Sequence, residues 1–121
     1  KAVEIATSAL AAEALKNAAP ASVFSRSTEG HNQDKVSMGT IAARDLCRVV
    51  ELSETVAVMH LLSLCQAVDL RGLDRVSGRA RALHAAVREH VAMNWGDRRM
   101  DSDIERVLAL LRADALPIGA A

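Results

Sequence analysis

The pattern of apolar and polar positions predicts helices along most of this chain. Residues 2–17 are strong helix formers without Gly or Pro, and Pro20 follows as a stop, so a first helix is expected there. Residues 20–33 carry several Ser residues together with Thr, Gly and Asn, which compete with helical hydrogen bonding. The chain is therefore expected to open with one helix that leads into a polar loop.

A very long helix is predicted over residues 34–71, because the helical pattern resumes there and no Pro interrupts it before Gly72. Such a helix would be about 55 Å long, whereas a compact domain of this size is only about 35 Å across. Its segment 55–68 carries no formal charge, which is typical of a helix that is buried on every side. The long helix is therefore expected to be covered by the rest of the chain, by other subunits or by both.

Burial between packed helices is favoured over a membrane span for this uncharged segment. A span needs about 20 apolar residues. The segment is shorter than that and contains His60, Ser63 and Gln66. No membrane partner is expected.

Two further helices are predicted after Gly72. Apolar residues that recur on one face indicate a helix over residues 73–93. A short helix is expected over residues 102–112, with Ser102 and Glu105 as a capping box at its start. Together these patterns predict an all-α fold, a bundle organised around one long helix.

Composition and charge restrict the partner classes. Of the 121 residues, 50% are hydrophobic but only 2% are aromatic, so any core must be built from aliphatic residues and Ala. Fifteen basic and fifteen acidic residues give a formal net charge of +0, which argues against nucleic acid and against a polybasic membrane surface. The chain opens at Lys1 within helical sequence, and we expect it to be a piece of a longer protein.

The two cysteines are expected to be unpaired. Cys47 and Cys65 fall on the predicted long helix, eighteen residues and therefore about 27 Å apart, so they cannot form a disulfide within it. Unpaired cysteines are typical of a reducing compartment, so a cytoplasmic location is expected. Within apolar helix a thiolate is disfavoured, which argues against a cysteine nucleophile.

The four histidines do not support a metal site, and no metal is expected. They share none of the short spacings with which zinc ligands occur on a helix or loop. Their surroundings in the sequence predict that His60 is a core residue and that His84 and His90 lie on the surface.

Candidate chemistry is concentrated where the polar loop meets the long helix. Polar side chains lie directly before or within the predicted first turn, where free N–H groups and the helix dipole favour an anion. Such a turn can hold an amino acid zwitterion, with a carboxylate facing the ammonium group and amides holding the oxygens. The alternative is that these residues only cap the helix, and the residues alone favour capping without excluding binding. The residues concerned are Glu29, His31, Asn32, Gln33 and Asp34, with Asn32 or Asp34 as the candidate N-cap.

A motif in this stretch resembles an active-site motif of a known enzyme family. Residues 29–39 have the sequence Glu-Gly-His-Asn-Gln-Asp-Lys-Val-Ser-Met-Gly. This is similar to the C-terminal active-site motif of the aromatic amino acid ammonia-lyases and 2,3-aminomutases, the family of histidine, phenylalanine and tyrosine ammonia-lyases. Ala-Ser-Val at residues 21–23 and Cys-Gln-Ala-Val-Asp-Leu-Arg at residues 65–71 also resemble the family. The resemblance covers residues 1–112 and implies the C-terminal helical part of a longer, homotetrameric enzyme.

The family reaction is elimination of ammonia from an α-amino acid, and it depends on an electrophilic methylidene-imidazolone that forms from an Ala-Ser-Gly tripeptide. That tripeptide does not occur in this chain, in which Val76-Ser77-Gly78 is the nearest match, and the chain has no Tyr to act as the general base. The resemblance therefore implies that the prosthetic group and the base come from sequence outside this chain, and that this chain alone is inactive.

The resemblance also implies residue roles. Glu29 matches the carboxylate that contacts the substrate amine, and Gln33 matches the polar residue that lies beside the prosthetic group and the substrate. Asn32 and His31 belong to the same motif, and structural or secondary roles are expected for both, with Asn32 also a candidate substrate-binding residue.

One position of the motif favours some substrates over others without excluding histidine. Histidine ammonia-lyases generally carry an acidic residue where this chain has Gln33, so the resemblance favours tyrosine or phenylalanine. A histidine ammonia-lyase, a 2,3-aminomutase and a non-catalytic helical assembly module remain as alternatives.

Overall fold

Helices account for nearly all regular structure in the computed structural model, which describes residues 1–119. In this range, extended backbone pairs only at one isolated bridge, between Thr28 and Gln33. The fold is therefore all-α, as predicted. The helices are α1 (Ala2–Asn17), α2 (Gly39–Arg71), α3 (Gly78–Arg88) and α4 (Asp101–Arg112), and two short 3-10 helices are Ala21–Phe24 and Leu73–Arg75.

The chain divides into two compact units, the first over Lys1–Val56 and the second from Ala57 onward, and α2 contributes to both. The first unit buries few apolar residues. No residue of α1 is buried, and Ile5 and Leu15 are 59% and 75% exposed. The buried apolar residues of this unit are Ala21 and Leu52.

An exposed ion pair joins α1 to α2 within the first unit. Arg48 Nη2 and Nε lie 2.8 and 3.1 Å from Glu13 Oε1, and Arg48 Nη1 lies 3.2 Å from Glu51 Oε2. These hydrogen bonds, the one to Glu13 first, raise the pKa of the Arg48 guanidinium. Because all three side chains are about half exposed to water, this cluster contributes little to the free energy of folding. Its main effect is on the orientation of α1 relative to α2.

The second unit has an aliphatic core. Val58, Leu62 and Cys65 recur at helical spacing along α2, so one face of that helix is buried against the elements that follow. Burial raises the pKa of the Cys65 thiol, which keeps it protonated, whereas Cys47 in the first unit is exposed. The buried core residues are Val58, Leu62, Cys65, Val87, Val91, Val107 and Leu116.

A carboxylate at the end of α2 organises the polar contacts of this core. Asp69 Oδ1 lies 2.6 Å from His84 Nε2, and Asp69 Oδ2 lies 2.6 and 2.9 Å from Arg88 Nη2 and Nε. All three side chains are nearly buried. Burial by itself raises the pKa of the Asp69 carboxyl, but the hydrogen bonds from Arg88 and His84 outweigh it, so the pKa lies below its usual value. This cluster fixes α3 against α2.

Gly72 ends α2 because it has a positive φ of 99°. The conformation favours glycine, whereas a Cβ atom at this position would lie 2.5 Å from Asp74 Oδ1, a contact that rotation of the Asp74 side chain can relieve. The stop predicted here is confirmed.

The long helix predicted over residues 34–71 starts later, at Gly39. Residues 34–38 are not helical. The reason is a contact that is distant in sequence, since both the N–H and the C=O of Val36 bond the Ser25 hydroxyl. These backbone groups are therefore not available for a first helical turn.

The prediction of one continuous helix over residues 73–93 is also wrong. A short 3-10 helix at Leu73–Arg75 comes first, and Ser77 then caps α3 by accepting a hydrogen bond from Ala80 N at 3.3 Å. Beyond α3, Gln66 holds the backbone of Asn94 through hydrogen bonds of 2.9 and 3.0 Å. The apolar residues that recur in this segment do enter the core, but they belong to α3 and to the segment that follows it and not to one helix.

The last helix begins at Asp101 rather than residue 102, and its N-cap is Met100, with no side-chain hydrogen bond. The predicted capping box of Ser102 and Glu105 is therefore wrong. Asp101 and Asp103 place acidic groups in the first turn, where the helix dipole favours them.

Two of the histidine predictions are wrong. His60 is exposed, whereas His84 is buried and bonded to Asp69; His90 is exposed, as predicted. His84 is buried because Asp69 supplies the hydrogen-bond partner that a buried imidazole requires.

By length and composition alone, α2 is sufficiently apolar to cross a membrane, and among the described residues it is the one helix that meets this test. Val58, Leu62 and Cys65 of its second half instead enter the core of the second unit, and Asp69 near its end pairs with α3. These contacts favour a core helix.

Asp69→Asn is expected to lower the free energy of unfolding of the intact protein by roughly 3 kcal/mol, because it leaves Arg88 nearly buried without its counter-charge. Thermal denaturation measures the effect. The matched control is Asp101→Asn, which removes an exposed carboxylate paired with Arg99 and should change stability little. Equal effects of the two substitutions would contradict a structural role for the Asp69 cluster.

The stabilisation by Asp69 is expected to depend on pH. Because the folded-state pKa lies below the unfolded value of about 3.9, the contribution is present above that pH and is lost as the pH falls through the folded value. The difference in thermal-denaturation midpoint between the wild-type protein and Asp69→Asn should stay constant from neutral pH to about pH 4. Below about pH 4 this difference should become smaller. A difference that narrows already between pH 7 and pH 5 would show that another group controls it.

Candidate functional site

The loop between Phe24 and Gly39 is closed at its base by one hydroxyl group. Ser25 Oγ donates to Val36 O at 2.9 Å and accepts from Val36 N at 3.0 Å. Ser25 and Val36 are both partly buried, although most of the loop is exposed. The side chain thus replaces a backbone partner and brings two positions eleven residues apart into register.

A second pair of residues, Thr28 and Gln33, connects the two sides of the loop closer to its tip. Thr28 N donates to Gln33 O at 3.0 Å and Gln33 N donates to Thr28 O at 3.2 Å, which forms an antiparallel bridge. The Thr28 hydroxyl also donates to Gln33 Oε1 at 3.2 Å. Gln33 is therefore held through its backbone and through its side chain by the same residue.

The tip of the loop, residues 29–32, has an unusual backbone. Glu29, Gly30 and His31 have positive φ values of 53°, 62° and 69°, and Asn32 N donates to Glu29 O at 3.1 Å to close the turn. Positive φ at both central residues is the signature of the mirror-image turns that match an antiparallel pair. It is easy for Gly30 but costly for Glu29 and His31.

A side-chain contact supports this turn. Ser27 Oγ and His31 Nδ1 lie 2.7 Å apart and are hydrogen-bonded. His31 is thereby committed to the loop, which agrees with a structural role for it.

The structure brings the predicted site residues together on this tip. Glu29, Asn32 and Gln33 lie on one turn and its closing bridge, and all three are exposed. Within residues 1–119 the Glu29 carboxylate has no hydrogen-bond partner, and Gln33 Nε2 has none. The tip thus presents one carboxylate and one free amide NH₂ group.

The prediction that Glu29, Asn32 and Gln33 lie at the N-terminus of the long helix is wrong. α2 begins at Gly39, five residues after Asp34, so neither Asn32 nor Asp34 is its N-cap. The polar contact near the start of α2 is instead made by Ser37 Oγ, which accepts from Gly39 N at 3.3 Å. The helix dipole is therefore not the source of any affinity at the tip.

Sequence reasoning missed the residues that hold the tip in place, Ser25 and Thr28. The turn itself had a signal, because Gly and Asn within a polar run are typical of a tight turn. Thr28 and Gln33 flank that turn symmetrically, which is the spacing of a hairpin pair. That symmetry could have identified Thr28 as the partner of Gln33.

Among the described residues, no group of three or more His, Cys, Asp or Glu side chains is arranged to hold a metal ion. The chemistry that the tip offers is recognition. An exposed carboxylate pairs with an ammonium group, and a carboxamide NH₂ donates to a carboxylate or carbonyl oxygen.

Comparison with known proteins places this loop in a family. The sequence model for aromatic amino acid lyases matches residues 1–89. Tyrosine ammonia-lyase from Cupriavidus metallidurans is 43% identical over 109 residues, which are 89% of this chain and 20% of that protein. A tyrosine 2,3-aminomutase from Streptomyces globisporus, described as MIO-dependent, is 43% identical over 101 residues, 83% of this chain and 18% of that protein.

The fold comparison agrees. The crystal structure of histidine ammonia-lyase from Trypanosoma cruzi matches with a TM-score of 0.81 and 35% identity, over 89% of this chain and 21% of that one. This chain thus spans about a fifth of the length of the relatives that it matches. Because the family model covers more than half of its residues, the chain belongs to the aromatic amino acid lyase family.

Proposed function

We propose that the intact protein eliminates ammonia from an aromatic L-amino acid, tyrosine or phenylalanine, and that this chain supplies part of the active-site wall. The observation that carries the proposal is the strained loop tip, which holds Glu29 at a φ of 53° with its carboxylate exposed. Backbone strain of this kind persists where the surrounding contacts enforce it, and it is concentrated at functional sites.

In this proposal Glu29 binds the amino group of the substrate. An amino acid carries an ammonium group at neutral pH, and a carboxylate without another partner is the side chain that pairs with it most strongly. Glu29 thereby fixes the nitrogen that leaves in the reaction. Asn32, on the same turn, adds donor and acceptor atoms toward the substrate.

Gln33 fits the prosthetic group that the family uses. A methylidene-imidazolone has a carbonyl oxygen, and Gln33 Nε2 is an exposed donor without a partner in residues 1–119. When bound, this group supplies the electrophile that the elimination requires. Gln33 donates a hydrogen bond toward it or toward the substrate and so restricts their relative orientation.

This chain is proposed to be inactive alone, since its 121 residues contain neither an Ala-Ser-Gly tripeptide nor a tyrosine. The electrophile and the base then come from sequence outside it. A homotetramer formed through α2 is also proposed. Exposed apolar residues recur along α2, where Leu46, Leu64 and Leu70 are 61%, 51% and 70% exposed, and these residues are available for packing against other subunits.

Tyrosine or phenylalanine is favoured over histidine by two observations. Gln33 stands where the resemblance expects an acidic residue in a histidine enzyme. The relatives named for tyrosine are 43% identical to this chain, compared with 36% and 40% for histidine ammonia-lyases from Bradyrhizobium diazoefficiens and Symbiobacterium thermophilum.

The substrate can be identified by incubating the intact enzyme with each amino acid and following the absorbance of the unsaturated product. Phenylalanine should yield cinnamate, tyrosine should yield coumarate, and histidine would yield urocanate. We expect turnover of tyrosine or phenylalanine above that of histidine. Absence of all three products would overturn the proposed function.

Glu29→Gln and Gln33→Ala are each expected to lower the turnover of the intact enzyme by at least about tenfold, or about 1.4 kcal/mol of barrier, because each removes a contact to the reacting groups. The control is Glu105→Gln on the exposed face of α4, which should leave turnover unchanged. A non-catalytic assembly module predicts that neither Glu29→Gln nor Gln33→Ala has an effect.

A 2,3-aminomutase is the second candidate, favoured by the 43% identity to the Streptomyces globisporus enzyme. It would use the same Glu29 and Gln33 contacts but return the amino group to the neighbouring carbon. Chromatography of the products distinguishes the two. A β-amino acid as the main product would replace the lyase assignment, whereas the unsaturated acid with free ammonia supports it.

A further inference from the structure

The backbone and the side chain of Gln33 are both held by one residue, Thr28. Thr28 exchanges two backbone hydrogen bonds with Gln33 and donates a third from its hydroxyl to Gln33 Oε1 at 3.2 Å. No other described residue bonds the Gln33 side chain. The direction of the carboxamide is thus determined by Thr28.

The hydroxyl contact leaves one end of the carboxamide free. In the structure the Thr28 hydroxyl donates to Oε1, so the oxygen of Gln33 is engaged within the loop. The NH₂ group is left exposed and without a partner in residues 1–119. Without Thr28, an exposed glutamine would rotate among its rotamers and present oxygen and nitrogen about equally.

We propose that Thr28 is a positioning residue, which holds the Gln33 carboxamide so that its NH₂ group, and not its oxygen, faces the substrate. The inference rests on the proposed function of Gln33. It assigns a role to a residue outside the Glu29–Gln33 motif segment, and it specifies that Gln33 acts as a hydrogen-bond donor to an oxygen of the bound molecule.

A purely structural role for Thr28 can be separated from this one. Its backbone groups form the bridge, and they remain in any substitution. Thr28→Val keeps the branched shape and removes only the hydroxyl, while Thr28→Ser keeps the hydroxyl. The pair therefore isolates the side-chain contact from the turn.

The test uses the intact enzyme with Thr28→Val, Thr28→Ser, Gln33→Ala and the double variant Thr28→Val/Gln33→Ala. Thr28→Val should lower kcat/KM by about three- to tenfold, the range of one net hydrogen bond. Thr28→Ser should retain most of the wild-type value. The double variant should match Gln33→Ala alone, because the hydroxyl has no carboxamide left to orient.

Binding of p-coumarate, measured by calorimetry, gives a readout apart from turnover. Thr28→Val should weaken it by a similar factor, and the thermal midpoint should fall by no more than the loss of one exposed hydrogen bond accounts for. Gln33→Glu keeps an acceptor for the Thr28 hydroxyl but replaces the outward NH₂ with oxygen, so it should weaken p-coumarate binding more than Thr28→Val does.

Two results would overturn the inference: losses from Thr28→Val and Gln33→Ala that multiply in the double variant, or a Thr28→Ser variant as impaired as Thr28→Val. These results are distinct from a failure of the proposed function. If the wild-type enzyme turns over an aromatic amino acid and Gln33→Ala disables it while Thr28→Val does not, only the role of Thr28 falls. If the wild-type enzyme forms no product, the proposed function falls and the role of Thr28 falls with it.

Discussion

Two rungs of hydrogen bonds, Ser25 with Val36 and Thr28 with Gln33, hold the loop from which the site is built. The tip beyond them places two residues other than glycine in the left-handed region, at about 1–2 kcal/mol each. The five hydrogen bonds of the rungs contribute about 1 kcal/mol each. The strain is therefore offset by contacts that lie just outside the tip, and the exposed side chains do not have to provide the compensation.

The two units of the chain differ in how they are stabilised. The second unit has an aliphatic core and the nearly buried Asp69 cluster, so most of its order is explained by its own residues. The first unit, which carries the loop, buries little apolar surface, and its ion pair at Arg48 is exposed. The residues of the first unit therefore contribute less to its stability than those of the second unit contribute to theirs.

The sequence was informative wherever the determining interaction is local. The bounds of α1 follow from propensity and Pro20, the end of α2 follows from Gly72, and the all-α class follows from periodicity. It was not informative where a distant residue decides. The Ser25 hydroxyl keeps residues 34–38 out of the helix, and Asp69 makes a buried position suitable for His84. The motif at residues 29–39 located the candidate site, but its geometry depends on Ser25 and Thr28, which lie outside the motif.

Within the part of the chain that the structure describes, the side chains at the loop tip have free space around them. A side chain built on Gly30 would meet no atom within 4 Å, and Glu29 and Asn32 are exposed. Among the described residues, an exchange of the Glu29 or Asn32 side chain therefore requires no repacking of neighbouring residues, whereas Gly30 is restricted by its positive φ of 62° and not by space. The side chains that the tip presents can therefore change while the hydrogen bonds of Ser25 and Thr28 that hold the loop stay the same.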